Sequence, residues 1–243
     1  MHRTSLLLSA IALSSLPAAA EPPAAGELLD RAIAYHDPEG RFLLRPHRLS
    51  FLETRPGGSD RRTEALIDVP GGRFEITRRA EVEVAGVIDG GRCEMTLDGR
   101  SEVSEAERKK HRLGCERLEL LRDYYTYLWG LPMKLRDAGT RLGEVTETTF
   151  AEREVFGLRV TYEPEVGGDT WYFYFDRASF ALTGYRFYHD EAKGDGEYIV
   201  LDGELEAAGL RLPKRRAWYT HEDDRHLGTD VLTALDSPVP ASG

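Results

Sequence analysis

Asp169-Thr170-Trp171-Tyr172-Phe173-Tyr174-Phe175-Asp176 decides how this chain is read. As an extended strand it sends Trp171, Phe173 and Phe175 to one face and Tyr172 and Tyr174 to the other. Gly167-Gly168 punctuates its start. Leu182-Thr183-Gly184-Tyr185-Arg186-Phe187 follows closely and reads as the returning strand, with Tyr185 and Phe187 on a common face. The two runs form an antiparallel hairpin.

The same pattern continues outward from that hairpin. The spacing predicts strands over 144–150, 154–163, 170–176, 181–189, 197–207, 211–221 and 227–235. Asp195-Gly196 and Ala208-Gly209 supply turns between them. The first half predicts strands over 42–54, 62–69, 73–79, 81–89 and 92–97, with turns at Gly57-Gly58, Pro70-Gly71-Gly72 and Asp89-Gly90-Gly91. Two helical segments interrupt the strands. One begins at Glu27, carries Leu28, Leu29, Ala32 and Ile33, and stops at Pro38-Glu39-Gly40. The other runs from Ser104 to about Trp129 with a break at Gly114. Ser104 and Glu107 form a capping box at its start, and Leu118, Leu121, Tyr125 and Leu128 make one face. This pattern predicts one α+β domain over residues 21–236. It is a curved antiparallel β-sheet, an open or partial barrel, wrapped around helices.

The N-terminus reads as an export signal. Arg3 precedes an apolar run over 5–16, and Ala18-Ala19-Ala20 fits a small-residue cleavage site after Ala20. The run is too short to span a bilayer, so a soluble periplasmic protein without a transmembrane anchor is expected. Residues 237–243 read as a disordered tail. The net charge of −10 over 243 residues disfavours nucleic acid and anionic membrane surfaces as partners. The chain contains no Asn and no Gln, and most of its basic residues are Arg. GC-rich coding is favoured over heat adaptation as the source of that bias, because hyperthermophile proteins tend to enrich Lys.

Cys93 and Cys115 are the only cysteines. They form no Cys-x-x-Cys motif, and an oxidising compartment favours a bond between them over two buried thiols. That link would close a loop of roughly 22 residues, worth about 3 kcal/mol. Nucleotide-binding loops and a Gly-x-Ser-x-Gly elbow are absent. His221-Glu222 begins like a zincin motif, but Arg225 stands where the second His belongs and His226 comes one residue late. The acidic run 221–226 reads as a charged, solvated hairpin turn, and 190–197 reads as a turn that fails the EF-hand pattern because Ala192 replaces a required ligand. His189 and Asp190 are adjacent on a strand and point to opposite faces, which disfavours a proton-transfer pair. No catalytic residue, cofactor or metal site is therefore predicted.

The hairpin Asp169–Asp176 and Leu182–Phe187 resembles the late hairpin of periplasmic LolA/LolB-like proteins, in which a Tyr-Phe-Asp turn precedes a Gly-Tyr strand. More of the chain resembles an uncharacterised family of exported bacterial proteins, through stretches 124–135, 169–191, 195–198 and 212–215. The first resemblance implies a half-barrel around helices that carries or senses the acyl chains of lipoproteins. It supplies no functional residue. The residues themselves supply an aromatic set: Leu121, Tyr125, Leu128, Trp129 and Met133 from the helix, with Trp171, Phe173, Phe175, Tyr185, Phe187, Tyr198 and Trp218 from the strands. In a closed barrel they would fill the core, and in an open one they would line an apolar cleft for a lipid or acyl chain. The expected function is non-enzymatic binding of a hydrophobic ligand, a lipid or an acylated protein. The alternative is an envelope interaction or structural module with a filled core.

Overall fold

The computed structural model describes residues 21–238. The predicted signal segment and the end of the predicted tail lie outside those residues. Ser237, at the start of the tail, is held by a hydrogen bond from its Oγ to the Pro46 carbonyl, 2.8 Å.

Among the described residues twelve strands form one open antiparallel sheet. In chain order they are β1 (His47–Thr54), β2 (Arg61–Asp68), β3 (Arg73–Arg79), β4 (Glu83–Asp89), β5 (Arg92–Leu97), β6 (Thr140–Phe150), β7 (Arg153–Tyr162), β8 (Thr170–Asp176), β9 (Leu182–Tyr188), β10 (Glu197–Ala207), β11 (Leu210–Thr220) and β12 (His226–Asp236). Each half is a meander, and the halves join where β1 pairs with β12. That pairing leaves β5 and β6 at opposite edges although they are consecutive in the chain. A flat sheet of this width would separate them by about 50 Å.

The chain between those edges carries helix α3 (Glu105–His111) and helix α4 (Cys115–Trp129). Ser104 and Glu107 complete the capping box, and Arg112 in the left-handed region ends α3 ahead of Gly114. α4 spans about 22 Å and lies against the inner face of the curved sheet. Its Leu118, Leu121, Tyr125 and Trp129 pack on Phe51, Phe74, Ile76 and Ile88. Gly86 makes that approach possible: a Cβ there would sit 2.6 Å from Leu118 Cδ1. Helix α1 (Ala25–His36) fills the other half of the concavity, where Leu28, Leu29 and Ala32 meet Leu158, Phe173, Phe175, Tyr185 and Ile199. The Cys93–Cys115 disulfide fixes the start of α4 to edge strand β5, with Cα atoms 5.9 Å apart.

Two segments depart from the sequence reading: β6, expected over 144–150, begins at Thr140, and the expected start of β1 is helical. Residues 42–54 were expected as a continuous strand, but Arg41–Leu44 form a helical turn, α2, and the strand begins at His47. The Asp37 carboxylate accepts from the Arg41 and Phe42 backbone N–H groups at 2.7 and 2.9 Å. These contacts cap the turn, and Pro46 has no N–H to donate to a ladder.

Candidate functional site

The inner face follows from strand alternation. Along β8, Phe173 and Phe175 are fully buried, and Trp171 continues the same row toward the end of the sheet. On β9 the row is Tyr185 then Phe187, on β10 it is Ile199 preceded by Glu197, and on β11 Trp218 follows the buried Arg216. Between α1 and the sheet, Leu28, Leu29 and Ala32 are fully buried in one cluster with Phe173, Phe175, Tyr185 and Ile199. At the end where Trp171, Phe187 and Trp218 emerge, α1 no longer covers the sheet and a cleft opens against α4.

This cleft has a volume of about 490 Å³. Trp171, Phe187 and Trp218 form its sheet wall, and Tyr124, Tyr127 and Leu128 form its helix wall. Trp171 stacks on Phe187 at 4.8 Å between centroids and meets Tyr127 edge-on at 5.9 Å. Tyr124 stacks toward Trp218 at 6.4 Å, which ties helix to sheet. Tyr124 is 45% exposed, so the helix wall is reached from solvent.

Arg55, Asp169, His189, Glu197 and Asp230 also line the cleft. Burial raises the Asp230 carboxyl to about 6, reinforced by the nearby Glu53 charge and opposed by a hydrogen bond from Trp218 Nε1 at 3.0 Å. Burial also raises Glu197. Both carboxyls are thus held above the ordinary carboxylate range by burial. At the rim His189 Nδ1 pairs with Asp169 at 2.9 Å, and that carboxylate raises the imidazole's pKa.

The predicted aromatic set divides into four groups. Leu128, Trp171, Phe187 and Trp218 line the cleft. Phe173, Phe175 and Tyr185 lie in the core beneath it, and Trp129 and Met133 belong to the second core cluster. Leu121 and Tyr125 border a separate cavity described below. Tyr198 is a correction. It points to the convex face because Ile199, its neighbour, takes the inward position. There Tyr198 meets Phe150 and donates to Asp224 at 3.0 Å. The sequence reading missed Tyr124 and Tyr127. Their spacing to Leu128 places them on one helix flank, but the buried stripe drew attention instead.

The weighed chemical motifs do not converge. His189 pairs with Asp169 and not with Asp190. His221 Nε2 lies 3.2 Å from Tyr188 Oη, while His226 Nε2 is engaged with Thr229. Among the described residues no group of three or more His, Cys, Asp or Glu side chains is arranged to hold a metal ion. Among them, too, no helix is long and apolar enough to cross a membrane.

The open antiparallel sheet curved around helices is similar to solved structures. A LolA superfamily protein from Nitrosomonas europaea aligns over 90% of this chain and 95% of its own, with a TM-score of 0.52 and 10% identity. A DUF1329 family protein from Desulfovibrio piger aligns over 90% and 95%, with a TM-score of 0.50 and 9% identity. Identities this low establish the fold alone. The chain belongs to a family of unknown function (DUF6503), whose pattern matches residues 1–234. No curated protein matches it in sequence.

Proposed function

We propose that this protein is a periplasmic, non-enzymatic binding protein for a hydrophobic ligand, a lipid or the acyl chain of an acylated protein. The observation that carries the reading is the aromatic cleft between α4 and the ends of β8, β9 and β11. It lies in the size range of small-molecule sites, and Trp171, Phe187, Trp218, Tyr124, Tyr127 and Leu128 give it aromatic and aliphatic walls. Burial of an apolar chain against Trp171, Phe187 and Trp218 drives binding, at about 25 cal/mol per Å² removed from water. The resemblance to LolA/LolB-like carriers supports the same reading. The export signal read at residues 1–20 supports the compartment, and so does the Cys93–Cys115 bond.

Native and denaturing mass spectrometry of protein exported to a periplasm and gently purified tests the proposal. A stoichiometric lipid-sized adduct is expected in the native spectrum only. Phe187→Asp and Trp218→Asp, both half-buried, should remove the adduct and leave a folded protein. Phe173 and Tyr125 are core residues, so charged substitutions there would report on folding instead. A clean apo mass after exposure to a lipid pool would overturn the carrier reading. It would favour an envelope interaction module, for which the filled interior beneath the cleft already provides a rigid body.

A further inference from the structure

Three neighbouring strands lose their apolar inner face at the same end of the sheet. β1 turns Leu49 and Phe51 inward and then Glu53, with Arg55 next in phase. β2 begins with Arg61 before Thr63, Ala65 and Ile67. β3 follows Phe74 and Ile76 with Arg78. The register sets Glu53 opposite Arg61, and Thr63 opposite Arg78. α4 adds Arg117, one turn before Leu121. Together they line a cavity of about 400 Å³.

The charges in that cavity do not balance. Among the described residues Glu53 is the only acid lining it, and it is committed to Arg61, whose Nε donates at 2.6 Å, and to Thr63 Oγ1. Arg55, Arg78 and Arg117 have no ion-pair partner among the described residues, and Arg78 Nε is buried without a hydrogen bond. Such an imbalance is unexpected in a chain with a net charge of −10. Like charges around a concavity repel unless an anion sits among them. The large groove beside Asp68 and Lys134 shows the contrast: its Arg73, Arg122 and Lys134 are paired with Asp89 or Glu75, Asp123 and Asp137. The arginine cavity also adjoins the aromatic cleft, since Arg55 and Tyr124 line both.

We infer that the arginine-lined cavity holds the anionic headgroup, a phosphate or a carboxylate, of an amphiphile whose apolar chain lies in the aromatic cleft. This rests on the proposed function and narrows its ligand class to anionic amphiphiles. Arg78 and Arg117 supply the charge-assisted hydrogen bonds, and Arg55 bridges headgroup to chain.

Calorimetric titration of the purified protein with three probes tests the inference. They are lysophosphatidic acid, monoacylglycerol of the same chain length, and inorganic phosphate. Lysophosphatidic acid is expected to bind about tenfold or more tighter than monoacylglycerol, the scale of a hydrogen bond to a charged group. Arg78→Ala and Arg117→Ala should each remove that advantage and leave monoacylglycerol binding intact. Arg117 is half-exposed on α4, so its variant guards against a folding defect at Arg78. Equal binding of the two amphiphiles, unchanged in both variants, would overturn the headgroup site while the hydrophobic reading stands. Arginine-dependent binding of phosphate with no binding of either amphiphile would overturn both readings and leave a site for a free anion.

Discussion

Arg216 Cζ lies 3.6 Å from the centroid of the Trp129 ring, with both residues buried. The guanidinium donates from Nη2 to the Leu128 carbonyl at 2.9 Å, so a strand residue grips the C-terminal end of α4. Among the described residues its Nε and Nη1 have no hydrogen-bond partner, and the ring face is their principal compensation. Trp129→Ala should therefore lose both core packing and the cation–π contact. Urea unfolding is expected to show a loss of about 3–5 kcal/mol, at the upper end for aromatic truncation. A loss below ~1 kcal/mol would mean that Arg216 is satisfied in another way.

Asp230 faces Arg216 across the β11–β12 ladder and is raised to about 6 by burial. A carboxyl whose folded pKa exceeds its unfolded value binds protons more readily in the native state. Its contribution to stability is fully present below about pH 4 and is lost as pH rises toward 6. The size of that loss is roughly 3 kcal/mol. Asp230→Asn should stabilise the protein at pH 7.5 and have little effect at pH 4, read from denaturant midpoints at the two values. Equal effects at both would contradict the assignment.

His36 works in the opposite direction over nearly the same range. The Leu182 backbone N–H donates to its Nε2 at 2.9 Å, so Nδ1 carries the proton and donates to the Arg211 carbonyl. Burial holds its pKa down at about 4. A buried neutral histidine with a depressed pKa costs stability as pH falls from about 6.5 toward 4, again roughly 3 kcal/mol in full. The wild-type curve should consequently be flatter between pH 4 and 6 than either group alone would make it. In Asp230→Asn the histidine is left unopposed, and stability should fall steeply on acidification. A flat curve in that variant would remove His36 as the opposing group.

The sequence made the strands legible and their order illegible. β8 is read residue for residue because its aromatic alternation is bounded by Gly167-Gly168 and by Asp176, whose Oδ1 accepts from the Ala178 and Ser179 N–H groups. The pairing of β1 with β12 has no local signal, since its partners are Arg48 and Asp236. The cleft was half legible. Trp171, Phe187 and Trp218 are large and periodic, whereas Tyr124 and Tyr127 lie beside the obvious helical stripe. Asp230 was hidden because its inward position opposite Arg216 follows from the β11–β12 pairing and not from its own segment. The arginine cavity was wholly hidden. It draws its residues from the ends of separate strands and from α4, which only the folded topology brings together.

Removing the Cys93–Cys115 bond should separate the stability of α4 from that of the sheet. The bond joins the first residue of α4 to β5, an edge strand with a neighbour on one side only. Closing a loop across a sequence separation of 22 restricts the unfolded chain by about 3 kcal/mol on the entropy argument. The Cys93→Ala, Cys115→Ala double variant is expected to lose roughly that amount in urea unfolding. Its amide exchange should quicken first in β5 and in the first turn of α4, because the C-terminal half of the helix keeps Trp129 and Arg216. Protection lost evenly across the sheet would show instead that the bond supports the whole fold. The same mass measurement used for the lipid adduct would register the reduced form as a gain of about two hydrogens.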